Sequence, residues 1–201
     1  MNDGVIKYSF DFKKSSPLEK LLYKEIQEVR QRLFALGQIG EKDGIGYGNI
    51  SQRVSKKSFV ITGTQTGALK SLDAKHYALI EDYDDEKFFL KSSGAIKPSS
   101  EALTHGTIYN LSPDIKAVIH IHSKALWDFM LEKDYKKTAD VLYGSTLMIK
   151  EVNRIYKNDN PLKNPKFVMS GHEEGIITFG EDLKDAELTL YLLISDLINK
   201  I

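Results

Sequence analysis

Lys116-Ala117-Val118-Ile119-His120-Ile121-His122 is the stretch on which the reading of this chain turns. Side chains alternate faces along a β-strand, so residues two apart point the same way. His120 and His122 therefore project together, within reach of one metal ion. Ala117, Ile119 and Ile121 project from the opposite face and suit a core. The pair alone is equally compatible with two core histidines satisfied by hydrogen bonds. A third ligand would decide the matter, and His172 is the candidate. It sits in Ser170-Gly171-His172-Glu173-Glu174-Gly175, a tight loop between two short strand-like runs. A lone loop histidine is more often a surface residue. Beside the pair, however, it would make three neutral imidazoles with an open fourth position, the arrangement of a catalytic zinc.

Around the histidine strand the chain alternates strand and helix signals. Ser16-Pro17-Leu18-Glu19 reads as a helix start, with Ser16 as N-cap, Pro17 at N1 and Glu19 at N3. Leu18, Leu21, Leu22, Ile26, Val29, Leu33 and Leu36 follow a helical period that Gly37 ends. A Gly-rich loop spans 40–48. Strands are expected over 50–54, 59–62, 77–83 and 87–91, the first two joined as a hairpin through 55–58. Helices are expected over 100–110 (Ser99 or Ser100 capping), 124–131, 146–156 and 182–199, and short strands over 166–169 and 175–179. Leu183, Ala186, Leu190, Leu193, Leu197 and Ile198 share the apolar side of the last helix. Strands crowd the first half and helices are dispersed. That pattern predicts an α/β domain with a mixed or antiparallel sheet and helices on its faces.

Composition narrows the function classes. The chain has 201 residues, enough for one domain over 1–201 with a sizeable core. Lys+Arg and Asp+Glu both number 28, so the net charge is zero and nothing pulls the protein toward nucleic acid or an anionic membrane. Cysteine is absent, so any zinc site must use His and carboxylate. Residues 1–12 carry no apolar leader segment, and the apolar run 190–194 is far too short to span a bilayer. A cytoplasmic protein is expected.

Other candidate groups surround the pair in the sequence. Glu101, in Lys97-Pro98-Ser99-Ser100-Glu101, opens a helix, where a carboxylate simply complements the helix dipole. Its functional reading is an acid/base group beside the metal. Ser99 and Ser100 read first as caps. Gly46-Tyr47-Gly48-Asn49-Ile50-Ser51 and Thr62-Gly63-Thr64-Gln65-Thr66-Gly67 are loops rich in small and hydroxyl residues. Such loops can bring backbone N–H groups to an anion, although turns need the same residues. Neither matches a nucleotide-binding fingerprint. His76 and His105 have no partner motif and read as structural or surface residues.

Taken in order, Gly48-Asn49-Ile50-Ser51, Thr64-Gln65-Thr66-Gly67, Lys97-Pro98-Ser99-Ser100-Glu101, Ser112-Pro113-Asp114 and Ala117 to Ser123 resemble the class II aldolase/adducin family, along nearly the whole chain. That family includes fuculose- and rhamnulose-phosphate aldolases, ribulose-phosphate 4-epimerase and methylthioribulose-phosphate dehydratase. The resemblance implies a three-layer fold, with a mixed, mainly antiparallel central sheet flanked by helices. It implies one Zn2+ per subunit held by His120, His122 and His172, with Glu101 as the acid/base carboxylate. Asn49, Thr66, Gly67, Ser99 and Ser100 match positions that cradle the substrate phosphate. It further implies a phosphorylated sugar as substrate, and a homotetramer with the site at a subunit boundary.

The implied chemistry is aldol cleavage of a phosphorylated ketose, in which the metal stabilises the enediolate left when a carbon–carbon bond breaks. A dehydratase or 4-epimerase would need the same parts. An adducin-like interaction module, which keeps the fold without the ligands, is the alternative of another class. Three departures bear on these expectations. The family pattern after the third ligand is His-Gly, whereas here Glu173 and Glu174 precede Gly175. A gapless match would put Glu174 in the ligand's place. Gly46 stands where phosphate aldolases often carry a threonine. Neither catalytic tyrosine of the aldolases maps onto this sequence.

Overall fold

The computed structural model describes residues 8–200. The first seven residues of the stretch read above as lacking an apolar leader lie outside them. Ten strands and five helices run in the order β1 (Ser9–Lys14), α1 (Lys20–Ala35), β2 (Gly40–Lys42), β3 (Ile45–Tyr47), β4 (Asn49–Ser55), β5 (Ser58–Thr62), β6 (Tyr77–Asp84), β7 (Phe89–Gly94), α2 (Ala102–Leu111), β8 (Ala117–His122), α3 (Lys124–Glu132), α4 (Thr146–Ile155), β9 (Lys166–Val168), β10 (Gly175–Gly180) and α5 (Leu183–Ile198).

Eight strands form one sheet in the order β1-β7-β6-β5-β4-β8-β10-β9, and β2 pairs with β3 as a separate hairpin. Among the ladders of the described strands only β1–β7 is parallel. The expected mixed, mainly antiparallel sheet flanked by helices is what forms. Alternation along the strands feeds two cores. Ile50, Val60, Ile119, Ile121 and Ile176 pack with Ile26, Val29 and Leu33 of α1, Leu126 of α3 and Leu190 of α5. Phe59, Ile61, Val118, Ile177 and Phe179 pack with Leu103 and Ile108 of α2 and Met148 and Val152 of α4. Each such side chain, fully removed from water, contributes about 1.5–3 kcal/mol. Val118 lies on the same face as His120 and His122, so the histidines emerge on the α2/α4 side. Among the described residues no helix is long and apolar enough to cross a membrane.

Several local expectations need correction. The first helix begins at Lys20 with Glu19 at its N-cap, and no side chain caps it. Residues 15–18 are instead tied in extended form, because Ser15 N–H donates to Gly94 O and Leu18 N–H to Ala74 O. Leu21 is 87% exposed, since at helical spacing it shares its row with Glu25, Glu28 and Arg32 rather than with Leu22, Ile26, Val29 and Leu33. Leu36 and Ile198, also assigned to apolar faces, are exposed. The 40–48 loop contains the β2–β3 hairpin, and β1, absent from the sequence reading, adds an eighth strand. At the far end of α1, Arg32 forks onto the buried Glu187 of α5, with Nε–Oε1 and Nη2–Oε2 both 2.7 Å.

Candidate active site

Register brings the site together at one end of the sheet. In the β4–β8 ladder Asn49 stands opposite His120, and in the β8–β10 ladder Gly175 stands opposite His122. The loop joining β9 to β10 is thereby laid across the end of β8. Its turn is closed by His172 N–H to Met169 O (3.1 Å) and Gly175 N–H to His172 O (2.8 Å). Ser123 N–H donates to Glu174 O (2.9 Å), which fixes the loop to the strand's exit. The loop following β5 and the segment entering α2 lie side by side, through Thr64 N–H to Lys97 O and Ser99 N–H to Thr62 O. Gly48, at φ +78°, makes the turn into β4, where a Cβ would stand 2.7 Å from Ile39 Cγ1.

The three imidazoles converge. His120, His122 and His172 place one ligand nitrogen each within 4.8 Å of the others. His122 Nε2 and His172 Nε2 are 3.0 Å apart. Two nitrogens at about 2.0–2.1 Å from a tetrahedral zinc stand roughly 3.3 Å from each other, so the spacing fits. His120 Nδ1 lies 2.5 Å from Glu101 Oε2, which also accepts from Asn49 Nδ2 at 2.8 Å. Among the described residues His120 Nε2, which is buried, has no hydrogen-bond partner. A carboxylate on one ring nitrogen fixes the tautomer and leaves the other lone pair for a cation. This donor set and its orphaned nitrogen suit a divalent ion.

Electrostatics agree with that arrangement. Burial, with the neighbouring imidazoles of His120 and His172, pushes His122 down to about 2, so its ring is neutral at pH 7. Burial pushes Glu101 up. The charge and hydrogen bond of His120, with His172 and Asn49, outweigh that and hold the carboxyl well below the usual range. Its Oε1 is buried and has no hydrogen-bond partner among the described residues.

A cleft of about 470 Å³, open to solvent, holds these groups. The nine residues to which the family resemblance gives roles all line it: Asn49, Thr66, Gly67, Ser99, Ser100, Glu101, His120, His122 and His172. Glu174 does not join the cluster. It pairs with Lys42 (Nζ–Oε1 2.6 Å) and stands behind His122. His76 and His105 lie elsewhere: His76 closes a capping box with Asp73, and His105 is buried against Ser51.

Two cleft residues escaped the sequence reading. Tyr47 stacks on His122 (centroids 4.9 Å, 16° between planes), and Tyr143 packs on His172 (4.2 Å, 33°). Both are among ten tyrosines, and neither has a motif to mark it. Tyr143 reaches the cleft because Gly144, at φ +60°, lets the chain pass close to Ser100.

Residues 35–195 match the family described as Class II Aldolase and Adducin N-terminal domain. This chain belongs to that family. Its members include aldolases and epimerases. A protein of Mycoplasma pneumoniae named "Probable L-ribulose-5-phosphate 4-epimerase UlaF" is 26% identical over 103 residues, half of this chain and 41% of that relative. The aligned part thus spans less than half of the relative's length. Among solved structures, a sugar-phosphate aldolase from Thermotoga maritima superimposes with a TM-score of 0.67 at 18% identity, covering 89% of this chain and 92% of that one. An L-fuculose 1-phosphate aldolase gives 0.68 at 17% identity, covering 90% and 84%. At such identities the likeness is one of fold.

Proposed function

We propose that this protein is a zinc-dependent lyase that cleaves or forms a carbon–carbon bond in a phosphorylated ketose or related sugar. The observation that carries the reading is the convergence of three imidazoles beside a buried carboxylate, in a cleft whose other wall is a Gly/Thr/Ser-rich loop. His120, His122 and His172 hold one divalent ion per subunit. When bound, the ion polarises a substrate carbonyl as a Lewis acid. Glu101 serves twice. Its Oε2 orients His120, and its unpartnered Oε1 gives or takes the substrate proton. Asn49, Thr66, Gly67, Ser99 and Ser100 bind the phosphate in the same cleft. That contact, made away from the reacting bond, fixes the reacting carbons relative to Glu101. The aromatic faces of Tyr47 and Tyr143 pack the ligand rings and restrict water around them.

The remaining features of the reading follow the family. Residues 1–201 form a single domain that works in the cytoplasm as a homotetramer, with the site near a subunit boundary. Exposed Leu188, Leu192 and Ile198 on α5 are consistent with a covered face. A second reading, 4-epimerisation of a sugar phosphate, is favoured by the name of the Mycoplasma relative and uses the same residues.

Elemental analysis of the native protein, with a panel of sugar phosphates assayed for aldehyde release, epimerisation and loss of water, tests the proposal. Stoichiometric zinc and aldehyde release are expected. His120→Ala loses the metal, while Glu101→Gln keeps it and loses turnover by about 10²–10⁴. Absence of any stoichiometric divalent ion favours a non-catalytic interaction module. Undiminished turnover in Glu101→Gln removes that residue's role.

A further inference from the structure

Arg30 carries an inference that none of the motifs announces. It lies on α1, 1% exposed, among the apolar residues that face the sheet. Its guanidinium reaches across to the loop after β5. Nη2 donates to the carbonyls of Thr66 (2.9 Å), Gly67 (3.1 Å) and Leu69 (2.5 Å), and Nη1 donates to that of Lys70 (3.4 Å). Its flat face lies over Phe34, with Cζ 5.2 Å from the ring centroid. All four acceptors are backbone carbonyls. Among the described residues no carboxylate forms an ion pair with it. Buried charges are normally paired, because desolvation is costly. Here the partial negative charge of four carbonyls replaces lost hydration, and the full positive charge is left without a counter-ion.

The other side of the same loop is the cleft wall formed by Thr64, Gln65, Thr66 and Gly67. The C=O and the following N–H of a trans peptide point in opposite directions. Carbonyls 66 and 67 are drawn toward Arg30, so the N–H groups of Gly67 and Ala68 are turned away from it. These nitrogens face Gly46, at 3.0 and 3.4 Å from where its Cβ would stand, and Gly46 also lines the cleft. Among the described residues neither N–H has a hydrogen-bond acceptor. Two N–H groups without an acceptor, one of them on the cleft-lining Gly67, backed by an uncompensated cation, are suited to meet an anion.

We infer that Arg30 is the positioning residue of the anion subsite, and that the counter-ion of its buried charge is the phosphoryl dianion of the substrate, bound across the loop. Arg30 touches no substrate atom. It orients the peptides that do and adds a field that favours a doubly charged group over a neutral one. The inference rests on the proposed phosphate subsite and deepens it.

The test uses the full-length, metal-loaded protein, with inorganic phosphate as the probe in calorimetric titrations. Arg30→Met preserves the apolar stem and removes the charge. Phosphate binding is expected to weaken tenfold or more, with metal stoichiometry, the visible spectrum of the cobalt-substituted site and cooperative melting unchanged. Arg30→Lys restores the charge without the fork and is expected to recover part of the affinity, a rescue that a purely structural role does not predict. Wild-type affinity in Arg30→Met overturns the inference and leaves the phosphate reading intact. Failure of the unsubstituted protein to bind phosphate removes the subsite itself, and the inference with it. Should Arg30→Met not fold, Arg30→Lys decides: weakening of threefold or more supports the inference, and unchanged binding overturns it.

Discussion

Glu174 stands 4.0 Å from Nδ1 of His122, on the side of the ring opposite His172. Glu174 sits at φ +71°, a conformation uncommon for residues other than glycine, and its carboxylate is held by Lys42 from the β2–β3 hairpin. At 4.0 Å the carboxylate makes no hydrogen bond to the ring, so it would act on a bound cation through its charge alone. Glu174→Gln is therefore expected to weaken zinc binding by about two- to fivefold while leaving the fold intact. Chelator competition measures this, and an unchanged dissociation constant refutes it.

Metal removal makes a separate prediction. An ion bound by the native state alone stabilises it by mass action, by about 4 kcal/mol at a free concentration one thousand times its dissociation constant. The melting temperature should rise with added zinc and fall with chelator, and His172→Ala should abolish that dependence. A chelator-sensitive melt in His172→Ala would point to Glu174 as the working ligand instead.

Gly67 is locked between loop and hairpin. A Cβ there would lie 2.5 Å from Gly40 O and 2.6 Å from both Tyr47 N and Tyr47 O, all backbone atoms that cannot swing aside. Gly67→Ala should cost about 1–3 kcal/mol and weaken phosphate binding, because the hairpin must retreat. Denaturant titration reads the first effect and calorimetry the second. Wild-type values for both would mean that the hairpin gives way freely.

Stability should also fall in acid through His105. Its Nδ1 lies 2.7 Å from Ser51 Oγ, and its Nε2 is buried without a partner. Burial pushes it down to about 3, against a pull in the other direction from Glu101. The unfolded chain, with a value near 6.5, binds the proton more readily. The folded state therefore loses stability as pH drops from about 6.5 toward 3, by up to about 1.4 kcal/mol per pH unit from this one group. Above that window the contribution is flat. His105→Gln should lessen the slope of unfolding free energy against pH, and an identical slope would exclude this histidine as its source.

Much of the molecule was legible because its signals are local and periodic. Alternation along 116–122 gave the strand, the shared face of His120 and His122, and the core side of Ile119 and Ile121 together. Helix boundaries past the first were within a residue or two. β1 escaped because an edge strand paired on one side needs little apolar alternation, and Ser9–Lys14 has two phenylalanines among polar residues. Leu21 was misassigned because one leucine on a polar row resembles the edge of an apolar stripe. Glu174, Tyr143 and Arg30 depend on contacts between segments far apart in sequence, at separations no spacing rule covers. Arg30 in particular reads in sequence as one more charged residue on an amphipathic helix.

β8 lies in the interior of the sheet, bonded to β4 on one side and β10 on the other. Two of the three imidazoles are thus anchored to an interior strand, whereas the third rides on the six-residue connection 169–174 between β9 and β10. On the proposed reading an ion held there would leave asymmetrically: departure would begin with detachment of the ring at position 172, and the half-empty seat left by the other two would remain shaped for recapture.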